Sequence, residues 1–263
     1  MPKYDAKALA VARAVQQREQ PELTILFGSR SRGDHDEDWS DIDIMMVTAG
    51  EADAAAREQA KEAASTAASA NYGHYVPVQL VWCTLETFRH NRRYTNSLET
   101  NAVRDGIVMP KDPEQHGSSH CEDAETEYEY DWSTYENRLE DASDHLEAFG
   151  RLVEQGLSDQ IIGLHAQGAL EHAMKALLEA HRAQYRFSHD IGELLGNARR
   201  VDPTMAEFRL SIDPDIYSHY AGRHAYIRPA APKMLTNQPD YLARTIAEVE
   251  FIIARARVVR SQA

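Results

Sequence analysis

From Asp131 to the end of the chain, apolar residues recur at helical spacing, and that periodicity limits this half to helices packed on helices. Over residues 159–182, Ile162, Ala166, Ala169, Ala173, Leu177 and Ala180 share one face. Glu171, Lys175 and Glu179 form an i, i+4 charged row elsewhere on the same helix, with Glu ahead of Lys in the favourable order. Near the end, Leu242, Ile246, Val249, Ile253 and Ala256 make a second stripe, and Pro239 suits a first helical turn. The expected architecture is a helical bundle without internal repeats.

The first 110 residues follow a different rule. Residues 5–18 predict a helix, "ELTILF" a strand ending at Gly28, and "DIDIMMV" a second strand. "EADAAAREQAKEAASTAASA" predicts an Ala-rich helix facing solvent. "VPVQLVW" predicts a third strand, with Pro77 near its start suiting an edge or a strand's beginning. "TLETFRHN" and "SLETNAVRDG" predict helical pieces stopped at Gly106. Strands alternating with helices make this half α/β or α+β. After Met109 the chain turns polar and acidic, with Pro, Gly and Ser but no apolar period. The expected division is therefore 1–110, a linker over 111–130, and 131–263.

Charge narrows the function classes. Lys plus Arg is 28 and Asp plus Glu is 42, a net −14, which disfavours general nucleic-acid affinity and leaves room only for a local RNA site. Two cysteines, Cys83 and Cys121, cannot make a disulfide framework or a zinc cluster alone and suit a reducing compartment. With no bilayer-length apolar run and no secretory apolar block, a soluble cytoplasmic protein without a membrane partner is expected.

The stretch "LFGSRSRGDHDEDWSDIDIMMV" carries the chemistry. Residues two apart on a strand share a face, so Asp41 and Asp43 project together while Ile42 and Ile44 point into the core. Paired carboxylates repel unless a cation sits between them, and Mg²⁺ takes one or two carboxylates plus phosphate oxygens. An acidic outer strand face is the plain alternative. The upstream turn argues against it: Gly28 lets backbone N–H groups approach phosphate, Ser29 adds a hydroxyl, and Arg30 and Arg32 add positive charge.

Gly28-Ser29, eleven residues, then Asp41-Ile42-Asp43 resembles the nucleotidyltransferase superfamily with the DNA polymerase β-like fold, in particular its minimal and antibiotic-modifying members. The resemblance covers residues 5–110. It implies an α+β domain with a small mixed sheet, Mg²⁺ held by Asp41 and Asp43, and transfer of a nucleoside monophosphate from an NTP, expected to be ATP, to a hydroxyl. The acceptor would be a small molecule such as an aminoglycoside, or a protein. The family places a third carboxylate on a later strand, where this chain has Gln79, and an amide is no general base. Three explanations stand open: a base from the helical half, such as Glu171; nucleotide binding with little turnover; or a shifted register in which Glu86 serves.

"ALEHAMKALLEAHRAQYRFSHDIGELL" resembles the HEPN family of all-α helical bundles, as does "YAGRHAYIRP" in altered form. This resemblance covers residues 131–260, and likeness to antibiotic nucleotidyltransferases implies a homodimer. Many HEPN domains are metal-independent ribonucleases using Arg, four to six residues, then His. Arg182–His189, Arg138–His145 and Arg30–His35 all fit that spacing, so spacing alone selects none. Arg223 and His224 occupy the later element without the required order. Helix-face or capping roles for His165, His172 and His189, and packing roles for Tyr128, Tyr130 and Tyr135, are the expectation from residue type. RNA enters as a partner only in a second reading, a toxin–antitoxin-like fusion.

Overall fold

The computed structural model describes residues 4–35, 40–111, 130–186, 188–221 and 234–263. Arg223, His224, Cys121, Tyr128 and nearly all of the expected linker lie outside them. The chain forms two compact units, residues 1–129 and 130–263.

The first unit runs α1 (Ala6–Glu19), β1 (Leu23–Phe27), α2 (Gly28–Arg32), β2 (Ile42–Thr48), α3 (Ala54–Tyr72), β3 (Val78–Thr84), α4 (Leu85–Asn91), α5 (Leu98–Asp105) and β4 (Ile107–Pro110). Its sheet has the order β3-β2-β1-β4. β1 is antiparallel to β2 and β4, while β2 and β3 are parallel, so the sheet is mixed. β3 lies at an edge, where Pro77 costs no ladder bond. The sequence reading missed β4, because its four residues run directly into the polar stretch.

Alternation along β2 builds two cores. Ile42, Ile44 and Met46 are sealed beneath α1 and α3, whose alanines (Ala8, Ala12, Ala60, Ala64, Ala68) let the helices lie close. Met45 and Val47 face the other way, against Ile25, Phe27, Phe88 of α4 and Ala102 of α5. Asp43 shares this second face but sits at the strand's beginning, beside Phe27 of β1. Helix boundaries follow their caps. Asp5 accepts from the Lys7 and Ala8 amides, Asp53 accepts from Ala56, and α3 ends at Gly73 with φ 74°.

The second unit is all-α among the described residues: α6 (Trp132–Glu154), α7 (Asp159–Ala180), α8 (Ile191–Val201), α9 (Pro214–Ser218) and α10 (Tyr241–Gln262), with short 3₁₀ turns. α7 runs through the middle. The expected face from Ile162 to Ala180 is buried. The charged row is buried as well: Glu171, Lys175 and Glu179 are 4%, 1% and 1% exposed, with His189 against Glu171 and Tyr130 and Tyr185 against Glu179. α10 begins at Tyr241, two residues after Pro239.

Candidate active site

β1 ends at Phe27, and Gly28 turns the chain into α2 with φ 77°, a conformation open to glycine at little cost. A second constraint acts at the same atom. A β-carbon on Gly28 would collide with Oδ2 of Asp43, so glycine is what lets the carboxylate lie against the turn. Phe27 pairs with Asp43 across the antiparallel ladder, which fixes that approach. Ser29 is half-buried in the first turn of α2, and its carbonyl accepts from the Gly33 and Asp34 amides, closing the loop.

Asp41 stands just before β2, near enough for its charge to act on Asp43. The Asp43 carboxyl is pushed up to about 7, first by burial and then by Asp41, with Arg32 pulling the other way. An acid so shifted lacks a sufficient countercharge. Arg32 also contacts Asp34, at 3.1 Å. Gln79 is in register with Asp43 on the neighbouring parallel strand and is exposed on the same face. Glu86 cannot replace it. It lies in the first turn of α4, beyond the far end of β3, and Thr84 alone is roughly 17 Å along the strand from Gln79.

Arg30 has a different post from the expected one. Its side chain is fully buried, with Nη1 donating to Asp5 Oδ2 at 2.6 Å and to the Tyr72 hydroxyl at 3.2 Å. Nε and Nη2 donate to the Ser40 carbonyl at 3.0 and 2.7 Å. The guanidinium therefore ties α1, α2 and the end of α3 together behind the turn, and is used up there. Ser31 adds a second tie, its hydroxyl donating to the Gly28 and Asp105 carbonyls.

The second unit holds a polar seam between α6 and α7. Arg138 Nη1 lies 3.2 Å from His172 Nδ1, which is also 3.2 Å from Asp141 Oδ2. His145 and His165 meet through their Nδ1 atoms at 3.2 Å, and the His145 ring stacks on His172 with centroids 5.6 Å apart. Gly168 makes the room, since a β-carbon there would meet the His145 ring at 2.7 Å. Deeper in, Glu171 accepts from Lys175 Nζ at 2.6 Å and Gln167 Nε2 at 2.5 Å, and sits 2.9 Å from His189 Nδ1. Burial would raise its pKa, but the His189 hydrogen bond and the Lys175 charge outweigh burial and hold it well below the usual carboxylate range.

Comparison with known proteins fits both halves. Residues 10–103 match the family model for the nucleotidyltransferase domain, and residues 135–260 match that for the HEPN domain. The chain carries a nucleotidyltransferase domain followed by a HEPN domain. No curated protein and no solved structure matched it.

Within the nucleotidyltransferase domain the fold brings together Gly28, Ser29, Asp41, Asp43, Arg32 and Gln79, and turns Arg30 away. Among the described residues no three His, Cys, Asp or Glu side chains form a metal-holding group. Within the HEPN domain, Arg182 lies over the Trp132 ring, 5.1 Å from its centroid, while His189 is engaged by Glu171. Residue-type reasoning treated His165 and His172 singly and missed their meeting with His145. The signal was present: Arg138 and His145 are seven apart, as are His165 and His172, and seven residues return a helix to the same side. Among the described residues no helix is long and apolar enough to cross a membrane.

Proposed function

We propose that the nucleotidyltransferase domain moves a nucleoside monophosphate, AMP in the first instance, from an NTP to a hydroxyl on an aminoglycoside-like small molecule or on a protein. The observation that carries this reading is the Asp43 carboxylate lying against Gly28, short of countercharge, with Asp41 beside it. That donor set fits Mg²⁺, whose remaining positions would go to phosphate oxygens and water. When bound, the cation would neutralise charge developing on the phosphoryl oxygens.

The protein's own groups have separate tasks. The first backbone N–H groups of α2, which a helix leaves without helical partners, would take phosphate oxygens together with the Ser29 hydroxyl. Arg32 would balance charge on the triphosphate. Gln79 would hold nucleotide or acceptor by hydrogen bonds but cannot take the acceptor's proton. Glu171 is a poor replacement, because Lys175, Gln167 and His189 already engage its carboxylate. The missing base predicts slow turnover, since such a group supplies roughly 10²–10⁴-fold. Gln79 is also the observation that favours a nucleotide-binding role with little turnover.

A second reading, a toxin–antitoxin-like fusion acting on RNA, draws on the seam that places Arg138 and His145 on one side of α6 beside two more imidazoles. The −14 net charge weighs against it. Incubation of the full chain with Mg²⁺ and α-labelled ATP, with aminoglycosides, without any acceptor, or with RNA, separates these readings. Label on the small molecule or on the chain supports transfer. RNA cleavage in chelator supports the second reading. Bound but untransferred nucleotide supports the binding role.

A further inference from the structure

The two carboxylates of the site owe their places to different parts of the fold. Asp43 belongs to the ladder, in register with Phe27 on one side and Gln79 on the other. Asp41 lies outside it, since the pairing of β2 starts at Ile42 toward β3 and at Asp43 toward β1. Its two flanking peptide groups are nevertheless both held. Arg30 Nε and Nη2 donate together to the Ser40 carbonyl, at 3.0 and 2.7 Å, and the Ile42 amide donates to the Pro77 carbonyl at 2.9 Å. Peptide groups are planar, so holding the planes before and after a residue sets its φ and ψ, and with them the direction of its Cα–Cβ bond.

Arg30 is itself immobile. It is 1% exposed, its carbon Cζ lies 4.8 Å from the centre of the Tyr72 ring, and its carbonyl accepts from the Asp5 amide at 2.8 Å. Nη1 points at Asp5 and Tyr72, and that contact alone would join α1, α2 and α3. The fork on Ser40 is a second task, spent on the residue next to Asp41, and a planar guanidinium can do both at once where an ammonium cannot. We infer that Arg30 is a positioning residue for the cation site: through the Ser40 carbonyl it aims the Asp41 carboxylate to the side of Asp43. The inference rests on the reading of Asp41 and Asp43 as Mg²⁺ ligands, and it gives the acid that the ladder does not hold a support of its own.

Calorimetric titration of the full chain with ATP over a series of Mg²⁺ concentrations tests it, with urea midpoints confirming that each variant is folded. Arg30→Lys keeps a cation beside Asp5 but loses the fork, and should raise the Mg²⁺ concentration for half-maximal ATP binding roughly tenfold. Arg30→Met/Asp5→Asn removes both charges of the buried pair together, leaves neither unpaired, and should show the same shift. Tyr72→Phe loosens the other side of Arg30 and spares the fork, so its Mg²⁺ requirement should stay within about twofold of wild type. In an Asp41→Asn background Arg30→Lys should add less than about twofold, because the carboxylate it aims is gone. A wild-type Mg²⁺ requirement in Arg30→Lys and Arg30→Met/Asp5→Asn overturns the inference. So does an equal loss in Tyr72→Phe, or the full effect persisting without Asp41, either of which makes Arg30 a general prop. A wild type whose ATP binding ignores Mg²⁺ overturns the reading of the two aspartates, and the inference with it.

Discussion

At the residue scale the site depends on two atoms being allowed to meet, the α-carbon of Gly28 and Oδ2 of Asp43. Gly28→Ala adds a β-carbon where φ is 77° and where the carboxylate already lies. The variant should lose about 1–2 kcal/mol of stability in urea unfolding and most of its NTP binding in titration. Asp43 makes a separate prediction through its protonation. Its folded value of about 7 exceeds the 3.8 of an exposed aspartate, so the folded state holds the proton more tightly than the unfolded chain. The stabilising effect of that proton is complete below pH 3.8 and is lost as pH rises through 7. Without Mg²⁺, Asp43→Asn should therefore stabilise the protein by about 2 kcal/mol at pH 8 and by little near pH 4, measured as urea midpoints. An asparagine variant no more stable than wild type at pH 8 contradicts the assigned burial and charge. Gln79→Glu should raise any transfer rate, read as initial velocity, since it restores a proton acceptor in register with Asp43.

At the element scale the Arg30 clamp shows how the turn is supported. Removing the guanidinium leaves Asp5 without its closest charge partner at the junction of α1, α2 and α3. Arg30→Ala should cost about 3–5 kcal/mol, whereas Tyr72→Phe should cost about 1 kcal/mol. The α6–α7 seam predicts acid sensitivity. His165 is held below its ordinary value by burial and then by His145; His172 is held down to about 4, by burial first, with Arg138 adding to it. Both fold as neutral rings, so the stability they allow is present above pH 6.5 and is lost as pH falls toward 4. The thermal midpoint should drop by several degrees from about pH 7 to about pH 5, and His172→Gln should flatten that slope in calorimetry. These side chains also mark what a sequence conceals. A periodic stripe announces its helix, but Glu171, Lys175 and Glu179 look identical on paper whether water or other side chains lie over them. Arg30 likewise looks like a phosphate ligand until Asp5 and Tyr72, far away in the chain, close on it.

At the scale of the whole molecule, the change from mixed period to pure helical period was enough to separate an α+β half from an all-α half. Local signals carried several of the elements: the Ala-rich run for α3, Gly106 as the stop of α5, Pro77 just before the edge strand β3. β4 escaped because Ile107–Pro110 is too short to show alternation and pairs only through β1. The Gly28-Ser29 and Asp41-Asp43 groups were legible because their chemistry repeats at fixed spacing. Their closeness was not, since it depends on the β1–β2 register that sets Phe27 against Asp43. The central claim is that these four residues seat a Mg²⁺-bound nucleoside triphosphate. Calorimetric titration of the full chain with ATP, with and without Mg²⁺, tests it most directly, with the Asp41→Asn/Asp43→Asn variant in parallel. Mg²⁺-dependent binding that weakens roughly tenfold or more in the variant is the predicted result; equal binding by both proteins, or binding indifferent to Mg²⁺, would contradict it.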